Sequence, residues 1–425
     1  MSAVPHRRQR WLVCLGLGLL GCASRPVPLP TPATPAESTP ELPPEPRIRV
    51  CLAEAVTSVS FSYAGNVRLR PDASEAQDLA GTGVLAAAVK DGAIQVRRNA
   101  NALCKSAARL DLESLDGATR WRVGDTQYRG GLQLVRTGDL LTLVNELPLE
   151  EYLRGVVPWE IGKQEPSAAA ALEAQAVAAR TYAYKRIGRY PEASFDVYDD
   201  VTDQVYQGCR REDSLANVAI RATSGLVLHD RDGPIEAYYS STCGGHTARI
   251  EAVWNKPPEA ALRGGRDAAA DGGSYCAGSR HFRWSESWSG AGLERILQET
   301  LPREMGWPVG TPVGALVDLE IVARDESGRV QELRVQTSVA TFRVLGDRSR
   351  WVLRPRDRAI LRSTLFLLEV ERQNGAIVRV IAYGGGNGHG VGMCQMGAIE
   401  MARRGIGSAD ILAHYYNGAA LVRMY

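Results

Sequence analysis

The chain has 425 residues, enough for about two or three domains of ordinary size. Hydrophobic residues make up 44% and charged residues 23%, which excludes wholesale disorder. With 50 basic against 48 acidic residues the net charge is +2, so no global basic field draws the protein to nucleic acid.

The first element is a short export-type segment. Arg7, Arg8 and Arg10 precede the apolar run WLVCLGLGLLG, which is too short to span a bilayer and fits the core of a signal peptide. The run ends Leu19-Leu20-Gly21-Cys22, the pattern of a lipoprotein signal. Residues 1–21 would then be removed and Cys22 lipidated. A plain signal peptide with an incidental cysteine is the competing reading. Residues 22–47 follow as a proline-rich tether, with nine of the 22 prolines between residues 25 and 46. Such a stretch builds no core and acts as an extended spacer. An anchor, a spacer and a globular body describe an exported, membrane-anchored protein that reaches outward.

Residues 48–139 carry short alternating runs such as RIRVCLA, VSFSY and AIQVRR, broken at Asp91-Gly92 and Asp116-Gly117. They predict a small β-rich domain. Cys51 and Cys104 flank it and could staple it outside the cytoplasm. Residues 140–425 predict a larger mixed domain, making the fold class α+β. LPLEEYLRGVVPWEI opens with Pro148 and acids in its first turn, which suits a short helix. SAAAALEAQAVAARTYAYKRIG follows Pro166, holds no internal proline or glycine and stops at Gly188. It predicts a buried central helix. EDSLANVAIRAT predicts another helix. LVDLEIVARD and RVQELRVQT, joined at Ser327-Gly328, predict a hairpin. The last 45 residues hold a glycine-dense loop and two short helices.

Four constellations stand out. Glu160 sits among Val156, Val157, Pro158 and Trp159, where desolvation disfavours its charged form and suits it to general-acid work. A solvent-exposed helix-end glutamate is the plain alternative. Arg180 and Tyr182 lie on the alanine-rich helix; a buried arginine must find an anion, either a structural partner, a catalytic carboxylate or a substrate. Cys243-Gly-Gly-His246 and Cys276-Ala-Gly-Ser-Arg-His281 can place four soft ligands around a structural zinc. A Cys243–Cys276 disulfide competes with that reading. Finally, the loop running from Gly384 to Gly397 carries His389 and Gln395 and lets backbone approach a ligand before a helix N-terminus. It lacks the Lys-Ser/Thr pair of a phosphate-binding loop.

Taken together, LPLEEYLRGVVPWEI, EAQAVAARTYAY, DVYDDVTDQVYQG, AYYSSTCGGHT, GGNGHGVGMCQMGAIEMARRG and ILAHYYNG resemble the SpoIID/LytB family of peptidoglycan lytic transglycosylases and amidase enhancers. The resemblance covers roughly residues 140–425. It implies that Glu160 is the catalytic glutamate and that Arg180 is the arginine of the family's helix motif. Tyr182, Gln204 and Tyr206 would contact substrate, together with His389 and Gln395. It also implies that the Cys/His pairs bind zinc. The expected substrate is the bond between N-acetylmuramic acid and N-acetylglucosamine in glycan strands, cleaved to leave 1,6-anhydro ends. A non-catalytic wall-binding protein that stimulates an amidase partner is the alternative. The sequence departs from the family at Cys394-Gln395-Met396-Gly397, where Ser-Gln-Tyr-Gly is usual, and lacks the usual cysteine near Asp203.

Overall fold

The computed structural model describes residues 42–425 except Ala73, Ala100 and Ala193. The signal segment, Cys22 and most of the tether lie outside the described residues. Residues 42–425 form one compact unit with mixed helices and sheets, an α+β fold.

The N-terminal part is built from two antiparallel-dominated sheets. The seven-stranded sheet runs, in spatial order, from Val197–Tyr198 through Arg47–Val56, Leu140–Pro148, Gly131–Thr137 and Arg109–Ser114 to Val67–Pro71 and Gln77–Leu79. The six-stranded sheet is centred on Ser58–Ala64 and Thr82–Lys90. Alternating residues point inward, as the period of a strand requires. Val67 and Leu69 from one sheet and Phe61, Leu85 and Trp121 from the other meet in one core. The expected boundary at 139/140 falls at the turn of the hairpin Gly131–Thr137/Leu140–Pro148, so the β-rich part and the mixed part share a hairpin. Cys51 and Cys104 sit on different sheets, and all six described cysteines are free thiols. The expected staple is therefore not made.

Helix α1 (Leu149–Glu160) leaves the last strand of that hairpin directly. Its orphan amides are met by the end of the tether. Pro46 O accepts from Leu149 N at 3.0 Å, and Glu45 Oε1 accepts from Glu150 N at 2.7 Å. Helix α2 (Ala169–Arg186) follows a single 3₁₀ turn at Pro166–Ala168. Its face from Ala171 to Ala183 is almost wholly buried. Small side chains let α1, α3 (Ser214–Ala222) and the helices Gln395–Arg403 and Ser408–Tyr415 all pack against it. Asp213 caps α3 by accepting from Leu215 N and Ala216 N, both at 3.0 Å.

The same core continues from the sheets through α2 to Met393, Ile411 and Tyr416. A second core, holding Trp288, Leu293, Leu333 and Phe366, lies within the stretch expected to form one mixed domain. It is formed by the helix Gly290–Met305 and two three-stranded sheets. The predicted hairpin is one of these, Leu316–Arg324 paired with Val330–Thr337.

Close approach of α1 to the segment 204–208 depends on Gly155. A Cβ there would meet the Tyr206 ring at 2.5 Å and Gly208 O at 2.7 Å. Gly155→Ala is expected to lower stability by about 1–2 kcal/mol in urea unfolding, although alanine favours a helix over glycine by about 1 kcal/mol. A stabilised variant would show that this contact is slack.

Candidate active site and metal cluster

Glu160 is the last residue of α1, and Gly162 at φ +74° turns the chain away after it. Its side chain lines a cleft of about 260 Å³ together with Tyr182, Asp203, Tyr239, Trp254 and His389. Val205 N donates to Glu160 Oε1 at 3.2 Å, and the Tyr239 hydroxyl also bonds the carboxyl. Burial outweighs both and raises its pKa to about 7.

The Tyr239 hydroxyl is itself oriented. Gln204 Nε2 donates to it at 2.8 Å, which occupies the oxygen as acceptor and leaves the phenolic proton free to be donated. Gln204 is fixed in turn, donating to Ala179 O at 3.3 Å and accepting from the Tyr152 hydroxyl at 3.1 Å. His389 holds the main chain of Tyr239. Its Nδ1 accepts from Val391 N at 3.1 Å, so Nε2 carries the proton and donates to Tyr239 O at 2.9 Å. Burial pushes the His389 pKa down to about 4, which keeps it neutral.

Asp203 is the other carboxylate lining the cleft. It is fully engaged, accepting from the Tyr182 hydroxyl and from Arg189 at 3.0 Å each and from Tyr198 N at 3.0 Å. The Arg186 guanidinium stacks 3.3 Å above the Tyr182 ring. Glu160 is thus the cleft carboxylate without an ion-pair partner among the described residues.

Several expected site residues lie elsewhere. Arg180 does not touch Glu160. It is fully buried and forks onto Glu150 through Nε and Nη2 with two 2.8 Å bonds, while Nη2 also donates to Ile220 O and Nη1 donates to Leu226 O and the Thr223 hydroxyl. Its anion is structural: Glu150 in the first turn of α1. Tyr206 is 1% exposed, with its hydroxyl on Asn145 Oδ1 at 2.8 Å, so it cannot reach a ligand. Gln204 acts through Tyr239 from a buried position. Gln395 donates to Gln175 Oε1 at 3.1 Å and ties the glycine-dense loop to α2. Tyr238, Tyr239 and Trp254 belong to the cleft but were not singled out, although Tyr238 and Tyr239 lie within the AYYSSTCGGHT motif.

The metal expectation is corrected in its ligands. Cys243, Cys276, Cys394 and Asp267 gather within 4.8 Å of one another, all buried. His246 and His281 do not join them. His246 Nδ1 bonds Thr247 O at 2.8 Å. His281 lies against Arg280 and Arg362, which with partial burial push its pKa down. Cys243 Sγ stands 3.6 Å from Cys276 Sγ. That separation is too long for a disulfide and close to the roughly 3.8 Å edge of a tetrahedron with about 2.3 Å metal–sulfur bonds. Asp267 offers Oδ2 to Cys243 at 3.0 Å, while Oδ1 is held by the Tyr415 hydroxyl at 2.8 Å and His414 Nε2 at 3.3 Å. Neighbouring thiols and the backbone of Gly244 and Gly245 lower the Cys276 pKa to about 3, favouring a thiolate there. The donor set suits a soft divalent metal with an outer shell already in place.

Two outcomes follow from these pairings. Because neutral Glu160 is favoured in the folded chain, folding takes up a proton and stability falls as pH rises from about 4.5 to about 7. Glu160→Gln removes that titration, so it is expected to be more stable than wild type at pH 8 by about 2–3 kcal/mol and no more stable at pH 4. Denaturant unfolding at both values checks it; equal differences would mean a water-exposed carboxyl. Arg180→Met is expected to cost about 3–5 kcal/mol by stranding Glu150 and to leave the Glu160 window in place.

Comparison with known proteins agrees with this layout. Residues 137–229 match the family described as SpoIID, Stage II sporulation protein, and residues 250–392 match a domain of unknown function (DUF8618). The chain is 30% identical to an uncharacterized protein of Brachyspira hyodysenteriae over 315 residues, covering 73% of this chain and 75% of that protein. It is 30% identical to Stage II sporulation protein D of Bacillus amyloliquefaciens over 293 residues, covering 65% of this chain and 74% of that protein. An amidase enhancer of Bacillus subtilis is 26% identical over 63% of this chain and 40% of its own length. The α1–α2 unit with its terminal glutamate thus falls within the matched region, and the chain belongs to the SpoIID family.

Proposed function

We propose that the protein is a lytic transglycosylase that cleaves the β-1,4 bond between N-acetylmuramic acid and N-acetylglucosamine in peptidoglycan. The observation that carries this is the single unpaired carboxyl in the cleft, held near neutrality by burial. Glu160 gives its proton to the glycosidic oxygen as the C1–O bond breaks and the electron pair leaves with that oxygen. The muramyl 6-hydroxyl then attacks C1, and its proton returns to the Glu160 carboxylate. The acid is regenerated and a 1,6-anhydro end forms. Because the nucleophile belongs to the substrate, no second carboxylate is needed to activate water, unlike paired-carboxylate hydrolases. Tyr239 holds the carboxyl in place through its hydroxyl, and Gln204 and His389 hold Tyr239.

Digestion of purified glycan strands tests the reaction. Mass spectrometry is expected to find anhydro ends with wild type and none with a folded Glu160→Gln. The rate is expected to fall above pH 7 as the acid ionises. Hydrolytic ends, or undiminished cleavage by the variant, would refute the assignment. The amidase-enhancer relative and Met396, standing where the family usually has tyrosine, favour a second reading: a wall-binding protein that stimulates an amidase. Stimulation of a wall amidase by Glu160→Gln without any anhydro product would select it.

The Cys243, Asp267, Cys276 and Cys394 cluster fits a structural zinc with four protein ligands. Zinc there would cross-link the loop after Tyr239–Ser240 to Cys394. Metal analysis is expected to find one zinc per chain, retained in His246→Ala and His281→Ala and lost in Cys276→Ala; retention in the last would reject this ligand set. Lipidation at Cys22 and the tether would hold the body on the wall-facing side of a membrane. Among the described residues no helix is long and apolar enough to cross one.

A further inference from the structure

The cleft at Glu160 is small for the substrate just proposed. Its 260 Å³ falls below the roughly 300–1,000 Å³ of ordinary small-molecule sites, and a polymer needs flanking contacts to fix its register. A second hollow of about 590 Å³ adjoins it, and Trp254 lines both. This hollow is walled by the chain around Trp254, by Met305 at the end of the helix Gly290–Met305, which packs on the second core, and by the exposed Leu345 at a strand end.

Its chemistry is amphipathic. Met305, Leu345 and the indole of Trp254 give apolar surface, while Asn255, Gln331 and Arg348 bring amides and a guanidinium. Acids line it as well: Glu251 and Asp347 face the same space as Arg343 and Arg348. A wall of mixed sign does not select a polyanion. It suits a neutral, hydroxyl- and amide-rich ligand whose ring faces are apolar, which describes an N-acetylated pyranose. Trp254 is held in place by its neighbours. Its ring packs 4.8 Å from Tyr238 and 4.8 Å from His389 between centroids, both of which line the Glu160 cleft.

We infer that this second hollow is a run of sugar subsites, in which the region matching the domain of unknown function grips the glycan strand beside the bond being cut, with Trp254 as the shared platform. The inference rests on the glycan reading given above. It assigns the second core a binding task that the Glu160 cleft does not need for its chemistry.

Titration of full-length Glu160→Gln protein with soluble N-acetylglucosamine–N-acetylmuramic acid fragments of about four and about eight sugars tests it by calorimetry. The longer fragment is expected to bind about tenfold more tightly, equivalent to about 1.4 kcal/mol. In the Gln331→Ala/Arg348→Ala double variant that ratio is expected to fall to about one. In Trp254→Ala both lengths are expected to weaken. A length ratio that persists in the double variant, or one already near unity in the parent protein, would overturn the subsites while leaving the Glu160 reading intact. Failure of every length to bind a protein with a native circular dichroism spectrum would overturn the glycan reading, and the subsites with it.

Discussion

The carboxyl of Glu160, only partly exposed where it lines the cleft, is desolvated by the chain packed around it, and the rest of the site is arranged around that desolvation. A charged carboxylate there would want cations, and the nearby ones are engaged elsewhere. Arg186 and Arg189 are held by Asp203, and Arg180 by Glu150. What reaches Glu160 is a backbone amide and a phenol. Both bond it without imposing a full charge, so burial decides its protonation near neutrality. An arginine against Glu160, one of the pairings open to Arg180 from the sequence, would instead have favoured the charged carboxylate.

Arg180 serves the same end from a distance. By clasping Glu150 it ties the first turn of α1 to α2 and to the end of α3. Tyr425 adds its hydroxyl to Glu150 at 2.7 Å, so the end of the chain closes over the same pair. The first turn is fixed by ion pairing and the last turn carries the acid. Between them Gly155 lets Tyr206 press against the helix. Tyr206 therefore positions the segment that supplies Gln204 and Val205 N, a structural task for a residue whose motif suggested substrate contact.

Local pattern made much of this legible. α1, α2, α3, the hairpin at Ser327-Gly328 and the last two helices each carry their own start, stop or period, and the structure forms all of them. Glu160 could be singled out because its desolvating neighbours are adjacent in sequence. The helix Gly290–Met305 escaped notice because Gly290, Gly292 and Pro302 punctuate it; Gly290 is packed so closely that a Cβ would meet Ile377 O at 1.9 Å. Cys394 and Asp267 escaped for a different reason. A metal ligand set is a property of tertiary proximity, and the histidines three positions after Cys243 and five after Cys276 offered a local pattern that the chain does not use. The informative sign was Cys394 itself, in a motif position where the family usually has serine.

The Cys/Asp cluster and the cleft are two ends of one pairing. Tyr239–Ser240 runs parallel to Met393–Cys394, with Tyr239 opposite Met393 and Ser240 opposite Cys394. Tyr239 faces the carboxyl; Cys394 faces the thiols, and Cys243 follows three residues after Ser240. Two-residue strands hold little by themselves, since so short a ladder buries few hydrogen bonds. The Cys/Asp cluster gathers at one end of this pair, and His389 braces it from the other side through Tyr239 O. Arg329, wholly buried, adds a 2.7 Å bond to Cys243 O and a 3.2 Å bond to His246 O. One wall of the Glu160 cleft is thus a phenol on a very short strand. A metal held by the three sulfurs and the carboxylate would lock that strand where regular structure is too brief to do so.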